Sequence, residues 1–362
     1  MRVVIFTHSL VSDWNHGNAH FLRGIAQELL ARGHEVRILE PSDGWSRRNL
    51  IATCGPEAVR SFEAAFPGLR SELYDLETLD LDRELAGAGL VIVHEWNSHE
   101  LVRRCGELRA RRRGFVLLFH DTHHRSVTDA DSMQRYGLRD YDGVLAYGAV
   151  IRDIYRARSW AQRAWTWHEA ADTRTFYPRA AEPEGDLVWI GNWGDDERTQ
   201  ELNEFLIEPV RALGLRARVY GVRYPDHALD QLARAGIEYA GWLPNYRVPE
   251  VFARYRVTVH VPRRPYATAL PGIPTIRVFE ALACGIPLVS APWSDCERLF
   301  TPGQDYLVAR DGCVMQRHLE SLLSDPDRSR RMAEHGLRTI RSRHSCAHRV
   351  DELLNIYESL CA

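Results

Sequence analysis

Short runs of β-branched and aromatic residues alternate with amphipathic stretches along the whole chain, and this alternation narrows the fold more than any other feature. Val3 to Thr7 reads as a strand. Phe21 to Arg32 reads as a helix, because Phe21, Leu22, Ile25, Leu29 and Leu30 share one face at i, i+3, i+4 spacing. Gly33 ends that helix and Val36 to Leu39 returns as a strand. Further strands are read at Leu90–Val93, Phe115–Phe119 and Gly143–Ala146. A second series begins at Asp186, with strands Leu187–Ile190, Ala217–Tyr220, Val257–Val261 and Leu288–Ser290 between helices over 199–213, 228–235 and 276–284. The tail from 327 to 362 reads as two Arg-rich helices. Strands that alternate with helices build parallel sheets through crossover connections, so the expected class is α/β.

A chain of 362 residues suits two domains. Pro178, Pro183 and Gly185 mark the break. The expected organisation is a Rossmann-like domain over 1–170, a linker over 171–185, a second Rossmann-like domain over 186–340, and a C-terminal helix over 341–362 packing back toward the first domain. Ligands of open α/β sheets sit outside the carboxyl ends of strands. His94-Glu95 and His120-Asp121 fall there.

Charge removes several functions. All 46 basic residues are Arg, against 49 acidic ones, and a net charge of −3 does not suit a general nucleic-acid binder. Without Lys, mechanisms through a Schiff base or a phosphate-loop Lys are excluded. Seven scattered Cys with no CxxC pair match a reducing compartment. The N-terminus lacks a signal-peptide apolar region and no run reaches 18 apolar residues, so a cytoplasmic location is expected. Arg103, Arg104, Arg109, Arg111, Arg112 and Arg113 read as a solvated helix face and exit, with peripheral contact to anionic lipid as the minority reading.

Three stretches carry a resemblance. His16-Gly17-Asn18 leads into Ile25-Ala26-x-x-Leu29-x-x-Arg32-Gly33-His34-Glu35-Val36; Asp172-Thr173-Arg174-Thr175-Phe176-Tyr177-Pro178 follows the first domain; and Thr275 to Val289 reads TIRVFEALACGIPLV. Together they resemble the GT-B glycosyltransferases, family-four-like (group 1), in the spore-maturation-protein-like branch. The resemblance spans nearly the whole chain. It implies two Rossmann-like domains whose parallel sheets face across a cleft, and transfer of a sugar from a nucleoside diphosphate to an acceptor.

The resemblance also implies roles for residues. Gly17 matches the second of two family glycines that open a helix near the donor phosphates, and a glycine there lets an anion approach free N–H groups; a plain strand–helix turn is the alternative. Glu280 matches the carboxylate that grips the ribose, where each bond would be charge-assisted; an ordinary acidic residue near a helix N-terminus is the alternative. Gly191 and Arg198 fall on the family segment whose cations hold the diphosphate, but Asn192 replaces its Arg, so Arg277, or else Arg263 or Arg264, is expected to supply the missing charge. Leu243, after Gly241, matches the backbone that meets the base. The family Glu eight residues before the ribose Glu is Gly272 here; backbone N–H groups from Gly272, Ile273, Thr275 and Ile276 are expected to face phosphate. His120 matches the His beside the donor sugar. Asp121 joins it as a catalytic candidate, and Glu95 is a candidate base or a solvated loop acid. His16, Asn18, Trp96, His123 and His124 are read as lining the acceptor side.

Three His and one Asp within residues 120–124 raise a metal reading, but adjacent positions rarely aim at one ion. No metal and no cofactor are therefore expected beyond the nucleotide-sugar co-substrate. The acceptor is left open among a glycan, a lipid-linked molecule and a small molecule, with nucleic acid excluded. Two rivals remain: a nucleotide-sugar epimerase of GT-B architecture, and a catalytically silent nucleotide-sugar-binding protein.

Overall fold

The computed structural model describes all 362 residues, and the chain divides into two compact units: Met1–Glu169 with Cys346–Ala362, and Ala170–Ser345. Segment 171–185, read as a linker, belongs entirely to the second unit, and the return to the first falls at Cys346. Thr175 and Phe176 explain why the segment is not free. Their backbone N–H groups donate to the Asp172 carbonyl at 3.1 and 2.8 Å, and Phe176 is buried.

The first unit holds seven strands: β1 (Arg2–Phe6), β2 (Glu35–Pro41), β3 (Ser71–Tyr74), β4 (Leu90–His94), β5 (Val116–Asp121), β6 (Gly143–Ala146) and β7 (Ala164–Thr166). All pair in parallel, in the order β3-β2-β1-β4-β5-β6-β7. Their near-continuous apolar runs are what a sheet covered on both faces needs. Phe6 is level with Val93, Val93 with Phe119, and His94 with His120. The polar residues that end β1, β4 and β5 therefore emerge side by side. Successive strands run outward on one side of β1 and on the other from β4, so the strand order reverses between them. That reversal opens a ligand crevice in folds of this kind.

Helix Ala19–Ala31 covers the sheet with Phe21, Leu22, Ile25, Ala26 and Leu29 buried, and ends where Gly33 takes φ +78°. The C-terminal helix Cys346–Cys361 packs on it. Arg32 donates to Asp351 at 2.5 Å and to the Ala347 carbonyl at 3.0 Å, and the Trp167 indole donates to the Arg349 carbonyl at 2.8 Å.

The second unit holds β8 (Gly185–Ile190), β9 (Ala217–Tyr220), β10 (Ile237–Tyr239), β11 (Tyr255–His260), β12 (Leu288–Ser290) and β13 (Leu307–Val308), also all parallel. Their order is β10-β9-β8-β11-β12-β13, so the reversal lies between β8 and β11. The helix expected over 199–213 is interrupted: Asn203–Ile207 widens into a π turn before Glu208–Leu213 resumes. Pro209 has no N–H and its ring crowds the carbonyl four residues back, which accounts for the widening.

Candidate functional site

In the second unit the crevice between β8 and β11 is bridged by one side chain. The Arg198 guanidinium donates to the carbonyls of Val261 (3.1 Å) beyond β11 and of Asn192 and Trp193 (3.3 Å) beyond β8, and lies over the Trp189 ring at 5.2 Å. Gly194, at φ +85°, makes this possible, since a Cβ there would stand 2.8 Å from Arg198 Nε. Burial, and then the charges of Arg263 and Arg277, pull the Arg198 pKa down to about 9. The guanidinium is cationic at neutral pH all the same, so a cation without a carboxylate partner in this set of bonds stands at the reversal point. An anion placed there would relieve it. Arg263 and Arg264 are engaged by Glu197 (3.1 Å) and Glu201 (3.0 Å).

His260, at the end of β11, ties this region together. Its Nδ1 meets Ser290 Oγ at 2.8 Å and its Nε2 meets Thr275 Oγ1 at 3.0 Å. Burial, then the charges of Arg198 and Arg277, lower its pKa to about 3, so the ring is neutral. Because the Thr275 hydroxyl faces His260, it does not cap the helix Ile276–Cys284 that follows. The first N–H groups of that helix have no acceptor within it. On its second turn Glu280 is fully buried, accepting from Asn245 Nδ2 at 2.6 Å and pairing with Arg277.

Two expectations are corrected here. The N–H groups of Gly272 and Ile273 do not face an open site: Gly272 donates to the Ser294 carbonyl in the loop after β12 at 2.6 Å, and Ile273 to the Leu270 carbonyl of its own loop at 3.4 Å. Pro274 has none, so Thr275 and Ile276 remain. Arg277 is not a free replacement for the Arg missing at 192, because Glu280 holds it; Asn192 instead accepts through Oδ1 from the Val222 N–H at 3.0 Å. Gly191 lies against Trp189, where a Cβ would meet the ring at 2.7 Å, and Leu243 is half-buried after Gly241, whose φ is +73°. Two residues escaped the sequence reading. Asn245 reaches Glu280 from 35 positions away in sequence. Glu297 places its carboxylate 2.5 Å from where a Gly272 Cβ would be.

In the first unit the strand ends gather imidazoles. The rings of His94 and His120 are 4.8 Å apart, His8 is 5.3 Å from His94, and His8 Nε2 is 3.3 Å from His16 Nδ1. Burial, then neighbouring imidazoles, hold His8 and His120 well below the usual range and His94 at about 3, so all three are neutral. His120 also meets Trp167 at 4.8 Å and Phe21 at 5.9 Å. Trp96 packs edge-on to His123 at 5.0 Å, and His123 against His124 at 3.9 Å. His124 Nδ1 bonds Thr128 Oγ1 at 2.9 Å. Gly17 accepts through its carbonyl from the His20 N–H at 3.3 Å at the start of the helix, and Asn18 donates to the Thr122 carbonyl at 3.2 Å, so its amide has a structural task.

Glu95 is not a solvated loop acid. It is fully buried beside Asp121, and burial followed by the Asp121 charge holds its carboxyl well above the usual range. Asp121, itself raised by burial, accepts from the His123 N–H (3.1 Å) and from Tyr155 (3.0 Å). Held protonated, Glu95 cannot serve as a base in this state. No three His, Cys, Asp or Glu side chains are arranged to hold a metal ion. Along the Arg-rich helix His99–Arg111, Arg103 pairs with Glu100 and Glu107 and Arg109 with Asp142.

Residues 198–355 match the family model described as "Glycosyl transferase-like". No curated protein sequence matches the chain. Among solved structures it is similar to sucrose-phosphate synthase from Thermosynechococcus elongatus (14% identity, 99% of each chain, TM-score 0.67). It is similar to HepE from Anabaena in complex with UDP-glucose (12% identity, 99% of this chain and 100% of that one, TM-score 0.68). A third likeness is to an alpha-glucosyltransferase in complex with UDP and a 13-mer DNA (13% identity, 99% of each chain, TM-score 0.68). The fold shared with these is the GT-B arrangement of two parallel-sheet units.

Proposed function

We propose that this chain, which has the GT-B fold and a glycosyl transferase-like segment over 198–355, is a transferase that moves a sugar from a nucleoside diphosphate to an acceptor, with retention and without a metal. The observation that carries the donor reading is Arg198, a cation held by carbonyls at the β8–β11 reversal, next to a helix whose first N–H groups have no internal acceptor. The diphosphate lies against Arg198 and that helix start, which stabilises the negative charge growing on the leaving group. Glu280 takes the ribose hydroxyls. Its carboxylate is closed off by Arg277 and Asn245, so Arg277 turns from Glu280 toward phosphate as the donor enters.

The acceptor side is assigned to the first unit, at the ends of β1, β4 and β5, with Trp96, His16, His123 and His124 lining it. His120 contacts the transferred sugar as a neutral hydrogen-bonding ring, and the protonated Glu95 stays buried beside Asp121. Since no carboxylate side chain is available at Gly272, no covalent adduct forms there. No helix is long and apolar enough to cross a membrane, and the proposed setting is the cytoplasm, with at most peripheral membrane contact.

Thermal shift with a panel of nucleotide sugars tests the donor reading, because a ligand that binds only the native state raises its stability. NMR of the product's anomeric coupling tests retention, and activity in EDTA tests metal independence. An inverted product, or activity lost to EDTA and restored by a divalent ion, overturns the corresponding statement. Donor turnover with no acceptor present would favour an epimerase instead.

A further inference from the structure

Two tryptophans at the edge of the first unit's crevice are exposed, Trp45 at 46% and Trp96 at 37%. Exposed indoles are costly unless something covers them, so a pair beside a crevice marks a contact surface. Both are held in place from behind. Trp14 packs edge-on to Trp45 at 5.1 Å, while the Arg125 guanidinium covers Trp96 at 4.8 Å. His16 stands between them, 6.0 Å from each ring. His8 continues the row, 5.9 Å from Trp96 and 5.3 Å from His94.

Below this platform lie buried polar atoms with no hydrogen-bond partner: His8 Nδ1, His94 Nδ1 and Thr122 Oγ1, on residues of which His94 and Thr122 are only 3% and 2% exposed. A buried polar atom left unsatisfied carries a desolvation cost that a ligand's hydroxyl removes. The imidazoles are neutral, and Arg125 is turned to Trp96, Ser132 and Tyr136. Aromatic faces beside neutral hydrogen-bonding atoms describe the two sides of a sugar ring. Its C–H face suits the negative face of an indole, and its hydroxyls suit imidazole and threonine. The imidazoles behind the indoles carry no charge to offer an anion, and a lipid surface would leave the buried atoms unsatisfied.

We propose that Trp45 and Trp96 form a stacking platform for a neutral saccharide acceptor, whose hydroxyls bond His8, His94 and Thr122 beneath it. The proposal rests on the transferase reading and narrows its acceptor to an uncharged glycan.

The test titrates the whole protein with a panel of neutral methyl hexopyranosides and neutral di- to tetrasaccharides, read by tryptophan fluorescence and calorimetry. Inorganic phosphate, a short DNA strand and anionic phospholipid vesicles form the comparison arms, and nucleoside diphosphate binding is measured in parallel. A neutral saccharide is expected to bind, and Trp45→Ala and Trp96→Ala each weaken it by roughly tenfold, the loss of one stacked ring, with Trp→Phe variants in between. Nucleoside diphosphate affinity stays unchanged in all four variants. The proposal is overturned if no neutral saccharide binds, if only an anionic arm binds, or if the alanine variants bind saccharide as the parent does. Saccharide binding without nucleotide binding would instead remove the donor reading and leave the platform standing.

Discussion

Arg277 pairs with Glu280 one turn further along the same helix, and the carboxylate it covers has no exposed surface. If donor entry draws Arg277 away, the two substitutions have unequal consequences. Glu280→Ala removes the ribose acceptor and weakens nucleotide binding by about 1.5–3 kcal/mol, the range for hydrogen bonds to a charged group. Arg277→Ala removes a phosphate contact but also uncovers Glu280, so it costs less. Calorimetry on both variants decides. Unchanged nucleotide affinity in Glu280→Ala would leave the carboxylate a purely structural partner of Asn245 and Arg277.

Gly272 is fixed by its surroundings. It sits at φ +88°, and a Cβ would collide with the Glu297 carboxylate at 2.5 Å. A left-handed conformation costs a non-glycine residue about 1 kcal/mol or more, and the contact adds to that. Gly272→Ala therefore lowers unfolding stability by roughly 1–3 kcal/mol in chemical denaturation. Gly272→Ala combined with Glu297→Ala recovers the steric part and leaves the backbone part. Equal stability of the single variant and the parent would show that the loop yields without cost.

The nine strands read from the sequence are all present, because each is a buried, β-branched run that announces itself without help from the rest of the chain. What escaped was short or set by distant partners. β3, β7, β10 and β13 are the four sheet edges, short and mostly outside the core, so no buried apolar run marks them. Glu280, Arg198 and His120 were legible as positions. Their environments were not, since Asn245 reaches Glu280 over 35 residues and Asp121 reaches Glu95 over a strand pairing. The proton on Glu95 follows from burial beside a second carboxylate, which no local pattern encodes.

That proton gives a stability prediction. Glu95 has its folded pKa raised, so it binds more proton in the native than in the unfolded state, and this contribution is lost as pH rises above the usual carboxyl range. At pH 7 the native state pays to keep it neutral. Glu95→Gln keeps the shape while removing that cost. It should be more stable than the parent at pH 7 by about 1 kcal/mol or more, with the difference shrinking toward pH 4. A variant less stable at pH 7, with the gap independent of pH, would show that Asp121 depends on the carboxyl itself.

The buried imidazoles act in the opposite sense and outnumber it. His8, His94, His120 and His260 have lowered folded pKa values, and Glu95 and Asp121 have raised ones. A histidine depressed in the native state takes up its proton only on unfolding, once pH falls below about 6.5, so acid favours the unfolded state there. For His94 and His260, both at about 3, that interval runs from about 6.5 down to about 3. Between pH 8 and pH 5 each contributes a loss of about 2 kcal/mol, the integrated effect of one proton over that range. The Glu95–Asp121 pair opposes this, since the native state holds a proton there as pH falls, but one shared proton returns at most about 4 kcal/mol over that range against about 8 kcal/mol from the four imidazoles. Stability in urea should therefore fall on going from pH 8 to pH 5. His260→Asn, which retains hydrogen-bonding capacity toward Ser290 and Thr275, should flatten the slope by about one proton. A pH-independent midpoint over this range, or an unchanged slope in His260→Asn, would mean that these rings take up protons in the folded state and are not neutral within it.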